Sequence, residues 1–384
     1  MARAYNVISG DGHLVISPEQ WRHRVDAKYR DRAPRAFELP DGSTAILLEN
    51  TPLIKRTAHE PHVPPEQWRL DEYTNLDKTP GGGTAEQRVR EMDQDGVDAE
   101  ILFPPGELWG LERAVQDRDA YLAIIQGYNT WLAEEYCATA PDRLLGMGAI
   151  PKSGIEDAVA EMQRIAKLGL KGVVLMSYPN GKGWPAAEDD RFWAAVLDHN
   201  MPVATHEGIR NESGDRLANR FSVPVGRRSH AVTALNLTVH GVFERFPDLQ
   251  VYYAETDTGW IPYWLGRVDN MYRKGYNFEY EAQDNLKPLS RSASETILAH
   301  SLWGITDDIQ GVESRYKVGV EHIVWGSDFP HKPTSWPNSR EVFDRVLGDV
   351  PADERYQILV GNAARFFHLD VAASAGETRV PQPV

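Results

Sequence analysis

The chain has 384 residues, 41% hydrophobic and 25% charged, an ordinary globular composition that excludes a wholly disordered chain and provides for a large core. Acidic residues outnumber basic ones 56 to 41, and the net charge of −15 repels phosphate backbones, which argues against a nucleic-acid partner. The one cysteine, Cys137, excludes an intrachain disulfide, and no long apolar run or signal-peptide core occurs, so the sequence reads as soluble and cytoplasmic with no membrane partner.

In chain order, short apolar runs alternate with amphipathic stretches. Tyr5–Asp11 predicts the first strand. Residues 14–83 then read as an insertion folding over the mouth of the domain, with Pro-rich stretches, a β-like run at Ser43–Leu48 and the segment TAHEPH at Thr57–His62. Strands follow at Asp98–Phe103, Leu144–Ile150, Gly172–Ser177, Pro202–His206, Leu249–Glu255, Leu302–Thr306 and His322–Gly326. Helical patterns include Ala85–Asp95, Ala120–Ala140, Gly154–Leu168, Asp190–Asn200 and Trp336–Leu347. The strand runs are continuously apolar, as parallel strands covered on both faces should be. Eight such strands alternating with helices predict an α/β fold, a (β/α)8 barrel forming one domain over residues 1–384. An open doubly wound sheet is the second choice, and no Gly-x-Gly-x-x-Gly follows a strand to support it. The tail, residues 374–384, lacks periodicity and reads as flexible.

Functional groups in a barrel gather at the carboxyl ends of the strands. Those ends read Asp11-Gly12-His13, His206-Glu207, Glu255-Thr256-Asp257 and Asp328-Phe329-Pro330-His331. Asp11 and His13 share a face of an extended strand, and with His206 and Asp328 they form a plausible divalent-metal constellation. Singly, each has a bland reading: a helix cap for an aspartate, a bonded structural residue for a histidine, a carboxylate-orienting partner for His331. His59, Glu60 and His62 belong to the insertion and read first as solvated loop, with metal binding as the alternative. Glu207 and Asp257 should point away from the centre if the strands stay extended. Lys55, Arg56, Arg227 and Arg228 read as surface charge, or as partners for a carboxylate or a CoA phosphate. Trp109, Trp184, Trp260 and Phe329 are candidates for an apolar pocket, and Ser327 has no histidine at nucleophile spacing.

Several segments carry a resemblance that covers essentially the whole chain: ISGDGHLVISPEQW, VREMDQDGVDAEILFP, NTWLAEEYCATAPDRLLGMGAIP, GVFERFPDLQVYYAETDTGWIPY, VWGSDFPHKPTSWPNSRE and ILVGNAARFF. The sequence resembles the amidohydrolase-related group typified by aminocarboxymuconate-semialdehyde decarboxylase. The resemblance implies a distorted TIM barrel with metal at its carboxyl end and, commonly, a homodimer. It implies Asp11 and His13 as the first-strand ligands, His206 as the fifth-strand ligand and Asp328 as the eighth. Two positions depart from the group: Asp11 stands where a histidine is common, and Glu255 where a catalytic histidine closes the sixth strand. Three carboxylates with His13, His206 and His331 make a mixed set that suits iron or manganese, zinc remaining possible, and six ligands suit two metals better than one. That pattern is similar to a branch of TIM-barrel nonheme diiron monooxygenases known from platensimycin and platencin biosynthesis. It implies two iron ions, dioxygen, an electron donor and hydroxylation of a carboxylic acid or its CoA thioester, with Glu255 and His331 as both ligands and catalytic residues. The alternative is a mononuclear decarboxylase or hydrolase using one zinc or manganese ion, and a third is a silent metal-binding barrel.

Overall fold

The computed structural model describes residues 3–38, 44–49, 51–53, 80–206, 209, 228–273, 289–331 and 333–372. Eight parallel strands form one sheet: β1 (Ile8–His13), β5 (Ala99–Phe103), β6 (Leu144–Ala149), β7 (Gly172–Val174), β8 (Val203–His206), β9 (Val251–Ala254), β10 (Ser301–Ile305) and β11 (Ile323–Trp325), hydrogen-bonded in that order. Every strand residue is buried, which is why these runs carry no polar alternation.

The sheet closes on itself at one seam, between its first and last strands. Gly12 pairs with Phe329, the His13 amide donates to the Phe329 carbonyl at 2.7 Å, and the Asp328 amide donates to the Asp11 carbonyl at 3.0 Å. Below them Ser327 N donates to Ser9 Oγ at 2.9 Å, and the two hydroxyl oxygens lie 3.1 Å apart. Ser327 is therefore a seam residue, in keeping with the absence of a nucleophile pattern around it. Gly326 allows this closure, since a Cβ there would come within 2.5 Å of Asp11 Cβ.

Helices wrap the sheet as the apolar spacing predicts. α1 (Ala85–Asp95) starts where the Thr84 hydroxyl accepts from Gln87 N and ends at Gly96 with φ 74°. Ile155–Leu168 buries Ala158, Glu161, Met162 and Ile165 at helical spacing. The predicted helix Ala120–Ala140 is regular only over Arg118–Trp131, then loosens to a π-turn at Leu132–Tyr136 and tightens at Cys137–Thr139. Gly146 of β6 faces that change: a Cβ there would lie 2.8 Å from Leu132 Cγ and 2.9 Å from Cys137 Sγ. A helix at Arg228–Val239 is missing from the predicted patterns. From His230 to Val239 it is buried on every side, so it has no polar stripe to betray its period.

After β1 the chain makes short turns and a three-stranded antiparallel sheet, β2 (Arg35–Glu38), β3 (Thr44–Leu48) and β4 (Thr51–Leu53). It returns at Gly81, whose amide donates to Glu91 Oε2 at 3.0 Å. Lys55, Arg56, His59, Glu60, His62, Glu207, Arg227 and the tail 374–384 lie outside the described residues, as does the side chain of Arg228. Among the described residues no helix is long and apolar enough to cross a membrane.

Candidate metal centre

Three stretches of backbone set the geometry. β1 pairs with β5 through an irregularity between Ser9 and Gly12, and both Asp11 and His13 reach the carboxyl end of the barrel. β8 delivers His206 as its last residue. Glu255 and Asp328 stand just past β9 and β11 and both take left-handed backbone, φ 53° and 54°. Such a conformation costs a non-glycine residue about 1–2 kcal/mol. It also ends the strand alternation at the residue that must turn inward.

The side chains converge. His13 Nε2 lies 3.2 Å from Asp11 Oδ1 and 3.2 Å from Asp328 Oδ1. His206 Nε2 lies 3.5 Å from Asp11 Oδ1 and 3.5 Å from Glu255 Oε2. His331 Nδ1 is 2.8 Å from Asp328 Oδ1. All six residues expected to hold metal, Asp11, His13, His206, Glu255, Asp328 and His331, are thus gathered at one place. They form two overlapping sets, Asp11–His13–His206–Glu255 and His13–Glu255–Asp328–His331, each with its donor atoms within 4.8 Å of one another.

The donor set fits a divalent cation. Both Asp11 oxygens, His13 Nε2, His206 Nε2 and Asp328 Oδ2 are buried without a hydrogen-bond partner. Buried polar atoms are otherwise nearly always bonded, and an unbonded carboxylate costs several kcal/mol unless a cation faces it. Carboxylate oxygen with imidazole nitrogen suits manganese, iron or zinc. The two sets share His13 and Glu255, however, and the one His13 nitrogen facing the carboxylates has one lone pair and binds one cation at a time. It cannot complete both sets at once, so the geometry serves a single cation better than the expected pair of irons.

Electrostatics separate the members further. Burial raises the Asp11 carboxyl, but His206 and His13 outweigh it and hold Asp11 below the usual carboxylate range. Asp328 is likewise lowered: burial opposes, and the nearby His13 ring and the hydrogen bond with His331 prevail. Burial and His331 work against protonation of His13, yet Asp11 and Asp328 raise it overall. Glu255 goes the other way, pushed up to about 7 by burial and by the charges of Asp11 and Asp328. Exposure divides the cluster in the same manner. The side chains of Asp11, Asp328, His206 and His13 are at most 8% exposed, whereas Glu255 and His331 are 28% and 27% exposed.

Of the aromatic candidates only Trp109 stands at the centre, its ring 6.3 Å from His206. Trp260 packs on Trp264 and Trp303, Trp184 is exposed, and Phe329 is buried against Trp336. Phe103, read from the sequence only as strand core, faces His206 at 5.1 Å and His13 at 6.0 Å. Asp257 has φ 50°, so the premise of an extended strand fails there. Sequence reasoning also passed over Arg88 and Asp308. Asp308 holds the turn after Glu255 by accepting from the Thr258 amide and hydroxyl and the Gly259 amide. Both residues sit on outer helices or loops, where a charged side chain gives no sign of reaching inward.

Comparison with known proteins bears on the chemistry. A gamma-resorcylate decarboxylase from Rhodococcus jostii (strain RHA1) is 24% identical over 298 residues, covering 74% of this chain and 87% of that protein. The crystal structure of 5-carboxyvanillate decarboxylase from Novosphingobium aromaticivorans DSM 12444, complexed with manganese and 4-hydroxy-3-methoxy-5-nitrobenzoic acid, superposes with a TM-score of 0.66 at 18% identity, covering 96% and 99% of the two chains. That of 2,6-dihydroxybenzoate decarboxylase from Rhizobium gives 0.57 at 22% identity, covering 74% and 88%. These similarities correct the expected function. Relatives named as decarboxylases, one of them holding manganese, overturn the dinuclear-iron monooxygenase reading, and nothing in them calls for dioxygen, an electron donor or two irons. The profile described as amidohydrolase matches residues 21–369, nearly the whole chain, and the protein belongs to that family.

Proposed function

We propose that the protein is a metal-dependent, non-oxidative decarboxylase of a small aromatic carboxylic acid. The observation that carries this reading is the half-open Glu255 carboxyl standing over four almost fully buried ligands. Asp11, His13, His206 and Asp328 would hold one divalent cation, with manganese the first choice given the manganese-bound relative. When bound, the cation would supply a Lewis acid that orients the substrate's oxygens.

The chain's own residues do the rest. Trp109, partly exposed beside His206, offers aromatic surface to a flat substrate, and the fully buried Phe103 packs against the same imidazole. Glu255 delivers the proton from its carboxyl oxygen to the ring carbon that bears the carboxylate. The carbon–carbon bond then breaks, its electron pair restores the aromatic ring, and CO2 leaves. Solvent returns a proton to Glu255 from its exposed side. His331 orients the Asp328 carboxylate through the 2.8 Å hydrogen bond. The aromatic acids in the names of the relatives support the substrate class, a benzoate with neighbouring hydroxyl groups.

The test is CO2 release under nitrogen by the manganese-loaded protein from 2,6-dihydroxybenzoate and a panel of hydroxylated benzoates in D2O. Release of CO2 with one deuterium at the vacated carbon is expected. Intact substrate throughout the panel, with manganese bound, would refute the proposal.

A further inference from the structure

The ligands on either side of the barrel seam come from strands almost the whole chain apart, and one buried side chain spans the gap. Arg88, on α1, is 1% exposed. Its Nε donates to Glu100 Oε2 of β5 at 2.6 Å, its Nη1 to the His13 carbonyl at 3.0 Å, and its Nη2 to the Phe329 carbonyl at 3.0 Å. The guanidinium also lies over the Phe329 ring, 4.4 Å from the centroid. We propose that Arg88 is the positioning residue of the metal centre, clamping the two strand ends that supply Asp11, His13 and Asp328.

Three observations bear on this. The carbonyls Arg88 holds belong to a ligand, His13, and to the residue after a ligand, Asp328. The Phe329 carbonyl already receives the His13 amide, so the guanidinium holds a peptide at which the seam is tied. Gly12, between the two β1 ligands, is shaped to this contact: a Cβ there would lie 2.9 Å from Arg88 Nη2. Glu100 and the two carbonyls are met from three different nitrogens of one planar fork, whereas an ammonium would have to reach all three from a single atom. Glu100, 2% exposed, balances the charge so that the clamp adds no net repulsion toward a cation.

This inference rests on the metal-centre reading, and the experiment separates the two. Manganese affinity and the electron paramagnetic resonance spectrum of the bound ion are measured on the full chain, its Arg88→Lys variant and the Arg88→Met/Glu100→Leu double variant, with melting curves of the metal-free proteins. The double variant removes both buried charges at once, a change that folded cores commonly tolerate. The lysine variant keeps a charge for Glu100. Both should bind manganese about 10–100-fold more weakly, the usual effect of losing a group that orients ligands, and show a broadened spectrum. Wild-type affinity and spectrum in either folded variant would overturn the clamp while leaving the metal centre standing. Failure of the unaltered chain to bind manganese would overturn both.

Discussion

The imidazole rings of His13 and His331 lie face to face, centroids 3.8 Å apart and planes inclined by 27°. His331 thereby touches the cluster twice, by stacking on His13 and by its hydrogen bond to Asp328. The His331→Phe variant keeps the first contact and loses the second. It should bind manganese within about tenfold of wild type yet lose at least that much in kcat, because Asp328 is then free to turn. A His331→Phe enzyme with unchanged kcat would leave the stack, not the hydrogen bond, as the contribution of this residue.

Glu255→Gln tests the proposed proton donor. The amide is nearly the same size and still fills the space beside His206, so the metal should remain. Loss of a positioned acid costs about 10²–10⁴ in rate, and the loss should fall on kcat with KM little changed. If the glutamine variant loses manganese instead, Glu255 is a ligand and the proton must come from elsewhere.

Metal content per chain should be one manganese after chelation and reloading, measured by elemental analysis. His206→Ala and Asp11→Ala should each abolish retention of the metal through gel filtration. Two tightly held ions per chain would contradict the single-cation argument drawn from the shared His13.

A pH effect is expected outside the cluster itself. Asp95 is pushed up from 3.8 to about 6 by burial, although Ser339 donates its amide and hydroxyl to the two carboxyl oxygens. The folded chain thus holds the Asp95 proton more tightly than the unfolded chain. Its contribution to stability is complete below the unfolded value and is lost as pH rises through about 6. Asp95→Asn can keep both contacts, accepting from the Ser339 amide and donating to its hydroxyl. That variant should melt higher than wild type at pH 8, by up to about 3 kcal/mol in stability, and match it near pH 3.5. Equal melting at both values would show that Asp95 is not held in a desolvated site.

Gly12→Ala should destabilise the fold by about 1–3 kcal/mol, because the methyl group meets a guanidinium that three hydrogen bonds prevent from yielding. Chemical denaturation measures it. A neutral result would mean the Arg88 side chain can move aside.

All eight barrel strands lie where apolar runs predict them, since double-sided burial writes the same signal at each. The strand ends named Asp11, His13, His206 and Asp328 for a related reason: the fold brings those ends together whatever the intervening chain does. Glu255 and His331 were also legible as members of the cluster, but their chemistry was not. Residue types alone counted six ligands, whereas the structure shows His13 and Glu255 shared between two sets and Glu255 driven toward protonation by burial and by Asp11 and Asp328. Phe103 was hidden because a buried strand residue beside the cluster has the same sequence context as one anywhere else in the core. Arg88 was hidden because α1 carries it as one charge among several, and only tertiary structure reveals that it points inward.

The tie between Ser9 and Ser327 would make the proposed metal binding depend on the last strand docking on the first. Asp328 can join Asp11 and His13 only when the last strand has docked on the first, a loop closure across more than three hundred residues. Partly folded chains that lack this docking have no complete cluster, so a cation bound as proposed would favour only the finished barrel. At a free concentration one hundred times its dissociation constant, the ion would add about 2.7 kcal/mol to the folded state. Cellular manganese supply would then govern how much of this protein survives proteolysis as well as how much is active.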